Sequence, residues 1–218
     1  MLKSLYPHVD WSVVRIVGCD MDGTLYDEAE FISQVYGDIA DLLASRGHVE
    51  PGILYGWMFQ RWVEKGSSYQ HIFHEAAVEA SIPCDEIPDI VSCCLDLFRS
   101  YRPSLTLPSR TKVILANLIQ SYTLFLVSDG SAELQQRKFD ALKLSRWFDP
   151  ANVGIAGYYG HEFCKPSLKI IDEIGVLSAP HIPHQIVYFG DRAVDAEFAA
   201  NAGFQFARVA CMHLVKPG

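Results

Sequence analysis

The sequence predicts an α/β protein: a Rossmann-like parallel sheet core with helices on both faces and an inserted all-helical cap domain. Three observations indicate this architecture. Short apolar runs recur along the chain, helix-like stretches lie between and after them, and one long segment shows helical periodicity alone. Because strands that alternate with helices form parallel sheets buried on both faces, the first two observations predict the core.

Three apolar runs predict buried parallel strands at 13–19, 122–128 and 185–190. Each run is rich in β-branched and aromatic residues, and each stops abruptly at Asp or at Ser-Asp. The stretch "FQFARVA" at 204–210 predicts a further strand.

Helix signals accompany these strands. Ser131 is suited to a helix N-cap, Pro166 to a first turn, and Gly203 to a helix C-terminus. We therefore expect three helices in the core, at 131–144, 166–176 and 193–203.

The region between the first two strands has a different pattern. Its apolar residues recur at helical spacing, and Gly47, Pro51, Gly66 and Pro83 separate the periodic stretches. The pattern predicts four helices, at 31–47, 52–66, 68–80 and 86–101. We accordingly expect a cap domain at 28–107 and a core domain built from 1–27 and 108–218.

Composition limits the functional classes. The chain has 218 residues, half of them hydrophobic, and a formal net charge of -8. A protein that binds the phosphate backbone needs a basic face, so we expect no nucleic-acid partner. The N-terminus lacks the apolar stretch of a signal peptide, and no run is long enough to cross a bilayer. We therefore expect a soluble, cytoplasmic protein without a membrane partner.

Cysteine spacing also predicts a cytoplasmic protein. The six cysteines form no C-x-x-C pair and no regular pattern, which argues against a disulfide framework or a zinc site. Mostly buried, reduced thiols are expected, as in cytosolic proteins.

Polar side chains follow the predicted strands at the edge of the sheet where ligands bind in open α/β folds. Four separate chain segments deliver carboxylate, hydroxyl and ammonium groups to this one edge. The residues concerned are Asp20, Asp22, Ser128, Asp129, Lys165, Asp191 and Asp195.

These residues match four motifs in order and spacing. The chain carries "DMDGT" at 20–24, Ser128, "KP" at 165–166 and "GDRAVD" at 190–195, and it resembles the haloacid dehalogenase-like phosphatases over roughly 13–209. The insert resembles the α-helical cap of one subfamily. The resemblance implies hydrolysis of a small phosphorylated metabolite with Mg²⁺, through an aspartyl-phosphate intermediate.

The resemblance also implies roles for the carboxylates. Asp20 is the expected nucleophile and a metal ligand. Asp22 is expected to bind the metal through its backbone carbonyl and to act as general acid and then general base through its side chain. Asp191 is the expected direct metal ligand, and Asp195 is expected to act on the metal through water or by supporting a direct ligand. Repulsion between neighbouring carboxylates is expected to keep a proton on Asp22 in the first half-reaction.

Substrate contacts are expected at Ser128, Asp129 and Lys165, where Lys165 neutralises charge around the nucleophile. Two residues depart from the family pattern: Asp129 follows the serine, and Arg192 stands where Ser or Thr is usual. The two residues could pair with each other, or Arg192 could touch substrate.

Other functions fit less well. An EF-hand loop needs Gly at its sixth position and Glu at its twelfth, and the loop that begins at Asp20 has neither. The stretch "HIFHE" lacks the second His of a zinc protease, because position 78 is Val78. A dehalogenase has no use for a metal site or for Asp22. A phosphosugar mutase, and a non-catalytic binding module of the same fold, stay open as alternatives.

Overall fold

A computed structural model describes residues 2–178 and 180–209. The chain divides into two compact units, one formed by the residues up to Glu28 and from Leu105 onward, the other by Ala29–Ser104. The helices and strands, in chain order, are α1 Leu2–Leu5, β1 Ile16–Cys19, α2 Glu28–Ala44, α3 Pro51–Lys65, α4 Ile72–Glu79, α5 Ile87–Ser100, α6 Ser109–Leu118, β2 Thr123–Ser128, α7 Ala132–Ala141, β3 Val153–Ile155, α8 Gly175–Ser178, β4 Ile186–Gly190, α9 Ala193–Ala202 and β5 Gln205–Arg208.

The first unit contains a five-stranded sheet in the order β3-β2-β1-β4-β5, and every neighbouring pair is parallel. The predicted parallel sheet is confirmed, and the three apolar runs are β1, β2 and β4. The strand predicted at 204–210 is β5, which ends at Arg208; residue 210 lies outside the described residues. The sequence did not predict β3, which is three residues long.

One face of the sheet is closed by aromatic and aliphatic side chains. Gly18 lies opposite Phe125 and Tyr188 in the two flanking strands, and a Cβ at Gly18 would collide with the Phe125 ring. The rings therefore fill the space that this glycine leaves, and residues of α8 and α9 cover them. The cluster comprises Phe125, Val127, Ile170, Ile174, Leu177, Ile186, Tyr188, Phe198, Ala199 and Phe204.

The opposite face is covered by α6 and the N-terminal segment. Cys19 and Phe189 line a cavity of about 550 Å³ together with Leu115 and Leu118 of α6. The Tyr6 ring packs edge-on against Phe189 at 5.1 Å between centroids. Helices thus lie on both faces, as the strand-helix alternation predicts.

Two of the three core helices form as predicted. Helices α7 and α9 occupy the expected segments, and Gly203 ends α9 with a φ of 70°. Ser131 stands at the N-cap position of α7, although its side chain makes no capping hydrogen bond. The continuous helix predicted at 166–176 is wrong. That segment contains a 3₁₀ helix at Lys169–Glu173, and α8 begins only at Gly175.

The second unit is helical throughout, as the sequence predicts, and consists of α2, α3, α4 and α5. Its core includes an aromatic cluster in which Phe98 packs against Phe31 and Phe73. On its surface, the Arg61 guanidinium donates to both carboxylate oxygens of Glu75, at 2.7 and 3.0 Å. In neither unit is a described helix both long and apolar enough to cross a bilayer.

The cysteines differ in part from expectation. Cys19 and Cys94 are buried, but Cys84 and Cys93 are exposed and Cys164 is half-buried. All five are free thiols. Cys211 lies outside the described residues.

Candidate active site

The carboxyl ends of β1, β2 and β4 bring the predicted site residues together. Asp20 continues the ladder of β1, since its backbone N–H donates to the Phe189 carbonyl of β4 at 2.9 Å. Ser128 is the last residue of β2, and Asp191 follows β4 directly. Asp20 and Ser128 are each 1% exposed, so they lie in a region where charge is weakly screened.

Lys165 lies at the centre of this group of residues. Its Nζ donates to Asp20 Oδ1 at 2.5 Å, to Asp195 Oδ1 at 2.6 Å and to the Tyr188 hydroxyl at 3.3 Å. Burial alone would lower the pKa of Lys165, but the charge of Asp20, the Tyr188 hydroxyl and the charge of Asp195 outweigh it and raise the pKa well above its usual value. Lys165 is therefore a fixed cation beside the expected nucleophile. The sequence did not single out Tyr188, because it reads as an ordinary core residue of β4.

Three carboxylates form a candidate metal site. Asp20, Asp191 and Asp195 each offer an oxygen, and these oxygens all lie within 4.8 Å of one another. Gly23, at φ 75°, lets the loop after β1 lie against this site, since a Cβ there would be 2.5 Å from Asp191 Oδ2. Carboxylate oxygens are the ligands that Mg²⁺ prefers, so the residues present fit a hard divalent cation.

The two outer carboxylates differ in their surroundings. Asp195 is fully buried, and its oxygens accept from Lys165 Nζ and from the Arg192 backbone N–H, the latter at 3.0 Å. Asp191 is only half-buried, and its Oδ1 accepts a long hydrogen bond of 3.4 Å from the Thr24 hydroxyl. Asp191 thus has the more available oxygens.

Burial and crowding raise the pKa of two of these carboxyls. Burial raises the pKa of Asp20 to about 7; the Lys165 charge opposes the shift and the Asp195 charge adds to it. Burial likewise raises the pKa of Asp191. A bound cation would favour the ionised form of both groups.

The structure excludes one of the two expectations for Asp129 and Arg192, their pairing with each other. Across the described parts of the chain these two side chains form no ion pair. Asp129 instead accepts from the Lys165 backbone N–H at 3.1 Å, and its other oxygen lies 4.0 Å from Lys165 Nζ. The buried Nε of Arg192 has no hydrogen-bond partner among the described residues, so it is a donor available to a ligand.

Asp22 lies in a pocket that stabilises its ionised form. Lys138 Nζ donates to Asp22 Oδ1 at 2.8 Å, and the Tyr26 hydroxyl donates to the same oxygen. Burial would raise the pKa of Asp22, but the Lys138 charge and the hydrogen bonds from Lys138, Tyr26 and Gln135 lower it overall. The expected carboxylate repulsion is therefore not the dominant influence, and the surroundings of Asp22 favour its ionised form.

Ser128 contacts the same helix. Its hydroxyl donates to Gln135 Oε1 at 3.1 Å. Sequence reasoning missed Gln135 and Lys138, because polar residues on a helix usually face solvent. A signal was present, since each is adjacent to a buried apolar residue of α7, Leu134 or Phe139.

A known protein family matches most of the chain. The sequence model of a family described as haloacid dehalogenase-like hydrolase matches residues 14–203. Comparison with curated proteins gives no match.

Solved structures share the fold at low sequence identity. A proposed β-phosphoglucomutase from Thermotoga maritima is 19% identical, with 94% of this chain and 88% of that chain covered and a TM-score of 0.64. A proposed hydrolase of the family, YfnB from Bacillus subtilis, solved with magnesium, is 15% identical over 94% and 90% of the two chains, with a TM-score of 0.63. A 2-haloacid dehalogenase from Pseudomonas syringae pv. Tomato is 21% identical over 88% and 85%, with a TM-score of 0.54.

Proposed function

Because the chain belongs to the haloacid dehalogenase-like hydrolase family, we propose that it is a Mg²⁺-dependent phosphatase acting on a small phosphorylated metabolite. One observation carries the proposal: the buried Asp20 lies 2.5 Å from the Lys165 ammonium and forms a cluster with the carboxylates of Asp191 and Asp195. This arrangement combines a nucleophile, a fixed cation and a set of oxygen ligands for a hard metal ion.

In the first half-reaction, an oxygen of Asp20 attacks phosphorus and the bond to the leaving oxygen breaks. The products are an aspartyl phosphate and an alkoxide that needs a proton. Lys165 and Arg192 Nε would stabilise charge on the phosphoryl oxygens, and the Ser128 hydroxyl would do so by turning its proton from Gln135 Oε1 to the phosphate. Asp22 delivers the proton to the leaving oxygen.

Asp22 must first acquire that proton, because Lys138 and Tyr26 favour its ionised form. The negative charge of a bound phosphate close by favours protonation of Asp22, since a like charge raises a carboxyl pKa. Phosphate binding therefore prepares Asp22 to act as the acid.

In the second half-reaction, water attacks phosphorus and the bond to the Asp20 oxygen breaks, which releases inorganic phosphate and frees the nucleophile. Asp22, ionised after the first step, accepts the proton that the water loses. The proton given to the alcohol is thereby replaced, and the net reaction consumes one ester and one water.

The metal would be held by Asp20, Asp191, Asp195 and the Asp22 backbone carbonyl. When bound, Mg²⁺ supplies positive charge that offsets the repulsion between the phosphate and the carboxylates. The fold places carboxylates of two separate segments within 4.8 Å, which supports this assignment.

Two rivals share the fold. A phosphosugar mutase would return the phosphoryl group to its substrate instead of to water. A dehalogenase would need neither the three-carboxylate cluster nor Asp22, so the cluster favours phosphoryl chemistry over dehalogenation. We propose that the helical unit acts as the cap that selects the leaving group.

The proposal is tested by incubating the protein with a panel of phosphorylated metabolites and Mg²⁺ and measuring released phosphate. We expect release from at least one substrate class, and loss of release after chelation. Isomerised phosphosugar without free phosphate would indicate the mutase. Halide release from a 2-haloacid without phosphate release would indicate a dehalogenase.

A further inference from the structure

We propose that Gln135 and Lys138 are positioning residues, which hold the Asp22 carboxylate and the Ser128 hydroxyl in fixed places for phosphoryl transfer. This inference rests on the proposed function. It concerns a helix face that lies outside the four motifs, and it assigns no contact between these two residues and the reacting atoms.

The burial of these side chains needs an explanation. Gln135 is 4% exposed and Lys138 is 2% exposed, although both stand on α7, a helix with solvated positions at Glu133 and Asp140. Burying an amide or an ammonium costs free energy unless it is hydrogen-bonded. An apolar side chain at either position would pack against the core at a lower cost.

The partners of these side chains are the functional groups of two different strand ends. Lys138 Nζ reaches Asp22 Oδ1 at 2.8 Å, across 116 positions of the chain. Gln135 Oε1 accepts from the Ser128 hydroxyl at 3.1 Å. Residues at i and i+3 share one face of a helix, so a single turn of α7 joins both groups.

Gln135 and Lys138 fix the position of Asp22 relative to Ser128, which the strands alone do not determine. Asp22 lies two residues beyond the acid that continues β1, in the loop that leads to Tyr26. A catalytic side chain on a loop loses efficiency when it is displaced by even about 1 Å. Lys138 on Asp22 and Gln135 on Ser128, one turn apart on α7, set the spacing between the proton carrier and the phosphoryl binder.

The test is a double-mutant cycle between Asp22→Asn and Lys138→Met, run with an alkyl phosphate and with an aryl phosphate that has an acidic phenol. Lys138→Met should slow the alkyl substrate by about tenfold or more, as part of the roughly 10²–10⁴-fold that a general acid–base group supplies. Because the phenol leaves unaided, release of phenol in the first turnover should be much less affected. In the Asp22→Asn background, Lys138→Met should change neither rate further.

Controls separate positioning from folding. Lys112→Met removes an exposed lysine from α6 and should leave both rates unchanged. Lys138→Arg keeps the charge and should restore part of the loss. Gln135→Glu keeps the acceptor for Ser128 but sets a carboxylate against Asp22, so it should slow the alkyl substrate, mainly through kcat.

Each possible result either supports or overturns the positioning role of Gln135 and Lys138. An equal loss from Lys138→Met in the wild-type and Asp22→Asn backgrounds would overturn the inference. Should the single variant fail to fold because Asp22 is left without its cation, Asp22→Asn/Lys138→Met is compared with Asp22→Asn alone, and a further loss would again overturn it. Should the wild type hydrolyse no phosphate ester, the proposed function fails, and crystal structures decide the positioning. We expect the Asp22 carboxylate to turn away from α7 in Lys138→Met, and an unmoved carboxylate would contradict us.

Discussion

Replacing Lys165 by Met removes the cation from the centre of the site while keeping a side chain of similar length. The wild-type ammonium is fully buried and lies 2.5 Å from Asp20 Oδ1 and 2.6 Å from Asp195 Oδ1. Without it, two buried carboxylates would face each other with no positive charge between them. We therefore expect a loss of stability as well as a loss of activity.

The magnitude follows from the burial of the ion pairs. Removing one partner of a buried ion pair costs about 3–5 kcal/mol, because the remaining charge stays in a region of low dielectric. Each kcal/mol shifts Tm by roughly 2–4 °C in a chain of this size. Lys165→Met should thus lower the Tm of the unit that contains the sheet by about 6–20 °C in the absence of metal.

Thermal unfolding followed by circular dichroism, with and without Mg²⁺, measures this effect. Mg²⁺ should recover part of the lost Tm, because the metal supplies positive charge to the same carboxylates. Lys112→Met, at an exposed position of α6, is the matched control and should change Tm by less than about 2 °C. A Lys165→Met protein as stable as the control would refute the view that Lys165 offsets the charge of the cluster.

Three further predictions concern the surroundings of the nucleophile. Asp22→Asn should lower turnover of an alkyl phosphate by roughly 10²–10⁴-fold while sparing the first phenol release from an aryl phosphate, and rapid mixing distinguishes this from equal damage to both. Gly23→Ala should weaken Mg²⁺ binding by about tenfold or more in titration calorimetry, because the added Cβ would lie 2.5 Å from a carboxylate oxygen of the metal site. Gly52→Ala, where the added Cβ meets open space, is the control and should bind Mg²⁺ normally. Burial, together with the charge of Asp20, raises the pKa of the Cys19 thiol to about 12. At pH 8, iodoacetamide should therefore label exposed Cys84 and leave Cys19 unlabelled in the folded protein, which peptide mass spectrometry measures. Labelling of both at similar rates would show that β1 is not buried.

The elements that the sequence predicted well are those with a strong local signal. Strands β1, β2 and β4 are continuous apolar runs that stop at polar residues, so their place in the sheet followed from pattern alone. Strand β3 has three residues with Gly154 in the middle, and so short a segment gives no periodicity to detect. The segment 166–176 has Ile170 and Ile174 at helical spacing because these side chains pack on the sheet, yet its backbone forms a short 3₁₀ helix at Lys169–Glu173.

Prediction of the site residues from the sequence has a similar limit. Motif spacing was sufficient to group Asp20, Lys165 and Asp191, because parallel strands end at one edge. Lys138 could not be found this way, since its partner Asp22 is 116 positions away and only the packing of α7 brings the two together. For the same reason, the ionised state of Asp22 could not be inferred from the carboxylates that neighbour it in sequence.

The central claim is that Asp20 carries the phosphoryl group during turnover. Acid quenching within the first turnover of an aryl phosphate with Mg²⁺, followed by peptide mass spectrometry, tests this claim most directly. We predict an adduct with the mass of one phosphoryl group on the peptide that contains Asp20, formed at the rate of phenol release and absent in Asp20→Asn. Phosphate release without such an adduct, or undiminished release from Asp20→Asn, would contradict the account.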